Sequence, residues 1–358
     1  MKRLLLCRLC RAPRRRPSGL ASVLFLAVAA ALFTSGSVAR ADDPTPRPTR
    51  GEIIRLDPAF DALVPPGAVL EVLASGLDWS EGPVWDPARG VLLFSDVPQN
   101  TVFQWKEGEG LSPFLKPSGY TGPLAYSRES GSNGLVLDAK GRLISCEHGD
   151  RRLSLLGPGG GKRTLTDNFE GKRYNSPNDA CVDKAGNIFF TDPPYGLPKG
   201  PADQDTREIP WNGVYRLTPE GKVTLLTKDL KFPNGVALSP DEKTLYVAQS
   251  DSQAALWMAY PLNPDGTLGT GRVFADVTAM AKTGHYKGLP DGLKVDAKGN
   301  LWATAPGGVH VMSPEGKLLG RIETFTPTGN CCFGGANNEY LYICADAWIC
   351  RVKLTNGG

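Results

Sequence analysis

Short apolar runs separated by polar turns repeat along most of the chain. Each unit opens with an acidic or amide residue, usually followed by glycine, and continues as an apolar run, a turn and a second apolar run. Turns such as Asp138-Ala-Lys-Gly and Asp296-Ala-Lys-Gly separate the runs, which indicates β-hairpins. The opening residues of the six units are Glu81, Asn133, Asn178, Asn234, Asp291 and, in a weaker copy, Asn330.

A second hairpin follows within each unit and is clearest at residues 213–226 and 308–320. Each unit is therefore expected to form four antiparallel strands. The opening residues are 52, 45, 56, 57 and 39 residues apart, which is the length of a propeller blade. No stretch shows a sustained helical period. The pattern predicts an all-β fold, a six-bladed β-propeller.

The last unit ends at Leu354 with only three strands, whereas an additional apolar run, Val69–Leu73, precedes the first unit. This N-terminal run can complete the last blade by pairing with the strand around Ile349–Leu354. Such pairing closes the ring and removes the open edges of two sheets.

The N-terminus carries the features of a secretory signal peptide. A cluster of arginines is followed by an apolar run, Leu20–Phe33, and by Ala39-Arg40-Ala41. The run of about 14 residues is shorter than the roughly 20 that span a bilayer. We therefore expect residues 1–41 to be removed, residues 42–66 to form a leader and linker, and residues 67–358 to form one propeller domain that is exported to the periplasm or secreted.

Cleavage after Ala41 would leave 32 basic and 37 acidic residues, a net charge of about −5. This charge disfavours nucleic acid and anionic membranes as partners. Cleavage would also leave six cysteines. Cys344 and Cys350 flank a turn, where they could meet as a disulfide in an oxidising compartment, with free thiols as the alternative.

The innermost strands of a propeller begin at one end of its central tunnel, so the six opening residues should converge there. Two carboxylates and four amides aimed at one axis offer oxygen ligands, which suit a hard cation such as Ca²⁺ or Mg²⁺. The alternative is that Asn and Asp simply favour the turn geometry before a strand.

Four motifs on these positions resemble the signatures of one family. They are Glu81-Gly-Pro-Val-Trp, Ser176-Pro-Asn-Asp, Phe232-Pro-Asn-Gly and Pro290-Asp-Gly-Leu. They resemble the family of gluconolactonase and regucalcin (senescence marker protein), to which diisopropyl fluorophosphatase is more distantly similar. The resemblance runs from about Glu81 to Val352. Residues 146–152 and 191–197 further resemble the bacterial gluconolactonase branch.

The resemblance implies a six-bladed propeller with one catalytic divalent metal ion. Its ligand positions fall on Glu81, Asn178, Asn234 and Asp291. The opening residues of the second and sixth units, Asn133 and Asn330, lie outside that ligand set and are expected near the substrate. Ca²⁺ is the favoured ion, with Mg²⁺, Zn²⁺ or Mn²⁺ as alternatives.

The resemblance further implies that such a site opens a sugar lactone by metal-assisted hydrolysis. The ion polarises the carbonyl, and a carboxylate takes the proton of the attacking water. Asp291 is the expected base and matches the family's catalytic aspartate. Two alternatives stay open: Glu81 is the base, or Asp291 is only a ligand.

Two other residues are candidates for substrate binding. His148 lies at the end of a second strand and is expected to reach the tunnel mouth, although a buried structural histidine is the alternative. Tyr195 is expected in a lid over the site, with residues 198–210 as its mobile portion.

Two other functions compete with the sugar lactonase. The same funnel could hydrolyse other esters or phosphoesters, or the protein could be a non-catalytic calcium-binding propeller. The sequence lacks a G-x-S-x-G motif and contains only three histidines, which disfavours a serine hydrolase of that type and a histidine-rich zinc site.

Overall fold

The repeating units form six antiparallel sheets in a computed structural model that describes residues 46–355 and 358. Two strands, β1 (Glu52–Arg55) and β2 (Glu71–Ser75), precede the first unit. Blade one contains β3 (Ser80–Asp86), β4 (Val91–Asp96), β5 (Thr101–Lys106) and β6 (Gly110–Leu115). Blade two contains β7 (Ser132–Leu137), β8 (Leu143–Glu147), β9 (Arg152–Leu156) and β10 (Lys162–Thr166).

A small hairpin, β11 (Asn168–Phe169) and β12 (Lys172–Arg173), leads to blade three. Blade three contains β13 (Ala180–Val182), β14 (Ile188–Asp192), β15 (Gly213–Leu217) and β16 (Val223–Thr227). Blade four contains β17 (Pro233–Leu238), β18 (Thr244–Asp251), β19 (Ala254–Pro261) and β20 (Arg272–Asp276).

Blade five contains β21 (Leu293–Val295), β22 (Leu301–Ala305), β23 (Gly308–Met312) and β24 (Leu318–Glu323). Blade six contains β25 (Asn330–Gly334), β26 (Tyr340–Ala345) and β27 (Trp348–Lys353). The helical segments are short: 3₁₀ turns at Pro58–Ala62 and Gly200–Ala202, and α1 at Thr278–Lys282. Within the described residues, no helix has the length and apolar character needed to span a membrane. The all-β, six-bladed prediction is confirmed.

The N-terminal strand closes the ring as expected. Strand β2 pairs antiparallel with β27, with Glu71 opposite Arg351 and Ser75 opposite Trp348. The paired strand begins two residues later than the apolar run suggested, and Val69, which precedes it, is 51% exposed. Blade six thereby gains its fourth strand from the opposite end of the chain.

Part of the segment assigned to a linker belongs to the propeller. Strand β1 pairs antiparallel with β24 and adds a fifth strand to blade five. Phe60 and Val64, just after it, are fully buried in the core shared by blades five and six. The sequence indicated a linker here because residues 46–50 are polar. The apolar residues that attach this segment to the propeller lie further along the chain. The predicted signal peptide and residues 42–45 lie outside the described residues.

Truncation should separate these two N-terminal roles. A chain beginning at residue 67 should fold but lose about 3 to 6 kcal/mol of unfolding free energy, because burial of each of two apolar side chains contributes about 1.5 to 3 kcal/mol. A chain beginning at residue 76 lacks β2 and should aggregate through open sheet edges. Urea unfolding and size-exclusion chromatography, with a chain from residue 46 as reference, measure both effects. Equal stability of the two shorter chains would contradict this assignment.

The glycine after the opening residue allows neighbouring blades to meet at the axis. A Cβ on Gly82 would lie 2.0 Å from the carbonyl oxygen of Asn133, and one on Gly235 would lie 2.2 Å from that of Asp291. Real Cβ atoms do not approach oxygen so closely, so these positions exclude any side chain. Glycine follows the polar opening residue in the sequence because the backbone at that position packs directly against the opening residue of the next blade.

Carboxylates at the ends of second strands hold the segments that lead into the innermost strands. Asp96 Oδ2 accepts a hydrogen bond from the Asp78 amide at 3.0 Å, and Asp192 Oδ1 accepts one from the Ser176 amide at 2.8 Å. These bonds satisfy backbone donors that would otherwise be buried alone. They fix the backbone two or three residues before Glu81 and Asn178.

The six cysteines in the described chain are all free. Cys344 lies opposite Ile349, whereas Cys350 lies opposite Ile343. Since side chains alternate along a strand, the two thiols face opposite sides of blade six. The suggested disulfide between them is therefore wrong.

Candidate active site

A cavity of about 420 Å³ lies where the innermost strands begin. It is lined by the opening residues of the first five units, whereas the opening residue of the sixth unit, Asn330, is not part of its lining. The cavity is lined by Trp79, Glu81, Glu129, Asn133, Asn178, Tyr195, Asn234, Ser250, Gly288, Leu289, Asp291, Pro327 and Thr328. All four residues expected to hold a metal ion are among them.

Two carboxylates of this cavity have strongly perturbed acidities. Loss of solvation on burial raises the pKa of Glu81 to about 8, although the Gly82 amide donates to its Oε2 at 3.0 Å. Burial and then the charge of Glu81 hold the pKa of Asp291 well above its usual range. Two like charges facing one low-dielectric space oppose each other's ionisation. A bound cation would remove that opposition.

Two amide oxygens at the cavity lack a partner. Asn234 donates through Nδ2 to Ser250 Oγ at 3.0 Å, while its Oδ1 is buried and accepts no hydrogen bond from any described residue. Asn133 Oδ1 is orphaned in the same way. A buried acceptor without a partner costs about 1 to 3 kcal/mol. These oxygens are suited to a cation, a water molecule or a substrate hydroxyl.

The donor set fits a hard divalent cation. The described residues include no group of three or more His, Cys, Asp or Glu side chains arranged to hold a metal. A cation here would be held by a mixture of carboxylate and amide oxygens, namely Glu81 and Asp291 with Asn178 and Asn234. Calcium and magnesium prefer such ligands.

His148 lies behind the cavity wall rather than on it. Its side chain is fully buried, with Nδ1 3.1 Å from the Glu129 carbonyl oxygen and Nε2 3.5 Å from Nδ2 of Asn178. Burial lowers the pKa of His148 to about 4, so the ring is neutral at physiological pH. The expected contact with substrate hydroxyls is therefore replaced by a contact with Asn178.

Asn330 is also absent from the cavity surface. Its Nδ2 donates to Asp179 Oδ2 at 3.4 Å, and its Oδ1 accepts from Lys294 Nζ at 3.3 Å. A Cβ on Gly292 would lie 1.9 Å from the Asn330 side chain, so that side chain is packed against the neighbouring blade. Both the NH₂ group and the oxygen of its amide are hydrogen-bonded to other side chains. Asn330 therefore does not line the cavity, where it was expected to contact the substrate.

Tyr195 does line the cavity, and its ring is stacked on Phe232 with the centroids 6.0 Å apart. The segment expected to be its mobile portion is tied down. Asp203 is 1% exposed, and Arg151 Nη1 donates to the Thr206 carbonyl oxygen at 2.9 Å. Residues 198–210 therefore include an anchored turn.

The residues of the cavity that the repeat pattern missed include Glu129, Trp79 and Ser250. Burial raises the pKa of Glu129, which adds a third acidic group to the site. Glu129 belongs to the long connection between blades one and two, where no repeat position marks it. Trp79 lies two residues before Glu81, outside the repeated motif.

The fold and this cavity define the class of the protein: a six-bladed β-propeller with an acidic site at the mouth of its tunnel. The model of the SMP-30/gluconolactonase/LRE-like region matches residues 79–346. The chain is 38% identical to gluconolactonase of Zymomonas mobilis, over 93% of this chain and 94% of that protein. It is 26% identical to bovine regucalcin, over 76% and 84% of the two chains.

Solved structures agree with this relationship. A Xanthomonas campestris gluconolactonase superposes with a TM-score of 0.74 at 34% identity, covering 86% of this chain and 97% of that one. A calcium-binding regucalcin from Agrobacterium tumefaciens shares the fold, with a TM-score of 0.64 at 20% identity over 80% and 94% of the chains. The chain belongs to the SMP-30/gluconolactonase/LRE-like family, and this relationship supports a lactonase enzyme.

Proposed function

We propose that this protein opens sugar lactones by hydrolysis and that the reaction requires one divalent cation, Ca²⁺ by preference. The observation that carries the proposal is the convergence of Glu81, Asn178, Asn234 and Asp291 on one cavity. The orphaned oxygen of Asn234 and the opposed carboxylates are explained together by a cation between them.

When bound, a divalent cation supplies Lewis-acid polarisation of the lactone carbonyl and neutralises the negative charge that develops on its oxygen. Asp291 removes a proton from the attacking water as the water oxygen bonds to the carbonyl carbon. The ring C–O bond then breaks, and the proton passes from Asp291 to the departing ring oxygen. Glu81 is the alternative base.

The remaining walls of the cavity are suited to a polyhydroxylated ring. Asn133 Oδ1 can accept a hydrogen bond from a substrate hydroxyl, because no described residue occupies it. Trp79 and Tyr195 offer aromatic surface beside the polar groups. The substrate class is therefore an aldonolactone. The arginine-rich, apolar N-terminus supports export of the enzyme to the periplasm or beyond.

Proton release from glucono-1,5-lactone tests the metal requirement. The purified protein should fall to the spontaneous rate in excess chelator and recover when Ca²⁺, Mg²⁺, Mn²⁺ or Zn²⁺ is restored, because both the carbonyl polarisation and the ligand geometry depend on the cation. Undiminished turnover by protein shown by elemental analysis to be free of metal would refute the proposal. Cation binding without turnover of any lactone, ester or phosphoester would indicate a non-catalytic calcium-binding propeller.

A further inference from the structure

The two asparagines of the proposed cation site each contact one further polar side chain, Ser250 on the cavity wall and His148 behind it. Ser250 Oγ lies 3.0 Å from Nδ2 of Asn234, and His148 Nε2 lies 3.5 Å from Nδ2 of Asn178. We propose that Ser250 and His148 are positioning residues that fix which face of each amide meets the cation. The inference rests on the proposed function, because it concerns the same site.

The direction of the hydrogen bonds at Ser250 determines the orientation of Asn234. Ser250 Oγ donates its one proton to the carbonyl oxygen of Pro290, which can only accept. Toward Asn234 the same hydroxyl can therefore only accept, so it must face the NH₂ group. The amide oxygen of Asn234 is left pointing away from Ser250, and it is the atom that lacks a partner.

His148 follows the same logic in another blade. Its Nδ1 is 3.1 Å from the Glu129 carbonyl oxygen, which can only accept, so Nδ1 carries a proton. Nε2 lies 3.5 Å from Nδ2 of Asn178, which can only donate, so Nε2 is the acceptor and faces the NH₂ group. In both cases a backbone carbonyl sets the direction of a short relay that ends with an amide oxygen free for the cavity.

This control of orientation matters because the two faces of an amide have opposite effects on a cation. An oxygen ligates the ion, whereas an NH₂ group directs positive hydrogens at it. Both backbone carbonyls also belong to segments that carry an acidic residue of the cavity, Glu129 itself and Asp291 after Pro290. Each relay therefore couples the position of a neutral ligand to that of a carboxylate.

A matched pair of substitutions tests the role of Ser250. Ser95 provides the control, because its hydroxyl also bonds a carbonyl of the next blade, that of Asn133 at 2.8 Å, but contacts no ligand amide. Ser250→Ala should weaken Ca²⁺ binding by about 10- to 100-fold, the usual effect of losing a partner of a metal ligand. Ser95→Ala should retain affinity, and Ser250→Thr should retain it because the hydroxyl remains. His148→Phe, which removes the acceptor, should weaken binding like Ser250→Ala.

Calorimetric titration with Ca²⁺ on the metal-free proteins measures these ratios, and thermal unfolding in chelator confirms that each variant is folded. Equal affinities for Ser250→Ala and the unsubstituted protein, or equal losses in Ser250→Ala and Ser95→Ala, would overturn the proposal. An unsubstituted protein that binds no cation would overturn it together with the metal requirement. If the variants show the predicted losses of Ca²⁺ affinity but the unsubstituted protein hydrolyses no lactone, the proposed function alone would be overturned.

Discussion

Replacement of Asp291 by asparagine is expected to lower lactone hydrolysis by about 10² to 10⁴, the usual contribution of a general base. The amide keeps an oxygen for the cation but accepts no proton from water. Cation binding should therefore be largely retained. Initial rates at saturating cation, together with calorimetric titration of the same protein, separate the two roles of this side chain.

Asn234→Ala is the matched comparison, because it removes a neutral ligand and leaves both carboxylates in place. Its loss of activity should be partly recovered when the cation concentration is raised. Activity of Asp291→Asn should not recover in this way. A rate near that of the unsubstituted enzyme at saturating cation would make Asp291 a ligand only, and Glu81→Gln would then be the next variant to measure.

Cation affinity is expected to decrease steeply as the pH is lowered below 8, by up to about 100-fold per pH unit. A cation binds the ionised carboxylates, so the raised pKa values of Glu81, about 8, and Asp291 mean that protons must leave as it binds. Up to two protons should be released for each ion. Titrations at several pH values, repeated in buffers of different ionisation enthalpy, count these protons.

The metal-free protein should show the opposite linkage in its stability. The pKa of Glu81 is raised from 4.5 to about 8 on folding, so the unfolded chain loses its proton first as the pH rises. Unfolding free energy should therefore decrease between about pH 4.5 and 8 in chelator, and added Ca²⁺ should reverse the loss. Glu81→Gln should reduce the number of protons released by about one. Affinity that is independent of pH would contradict this account.

The repeat pattern predicted the strands and the opening residues that recur in every unit. Glu81, Asn178, Asn234 and Asp291 occupy equivalent positions in their units, and the fold brings equivalent positions to one axis. Strand β1 has no counterpart in the other blades, so no periodicity could mark it. Its pairing with β24 depends on a contact between residues more than 260 positions apart.

Side-chain orientation was harder to predict than strand position. His148 contacts Asn178, and Asn330 contacts Asp179 and Lys294, so neither side chain lines the cavity where the sequence placed it. Those partners come from other blades. Glu129 was missed because loops follow no period, although its carboxyl belongs to the same acidic site.

The shared blade of β2 and β27 also governs the order of events during biosynthesis. Strand β2 is among the first parts of the propeller to be made, and β27 is among the last. A growing chain can therefore assemble its middle blades but cannot join its ends until translation is nearly complete. The cavity draws residues from both sides of that late junction, since Glu81 follows β2 and Thr328 precedes β25. Nascent or C-terminally truncated chains would consequently lack a finished site, and catalytic competence would arrive only with the final strand.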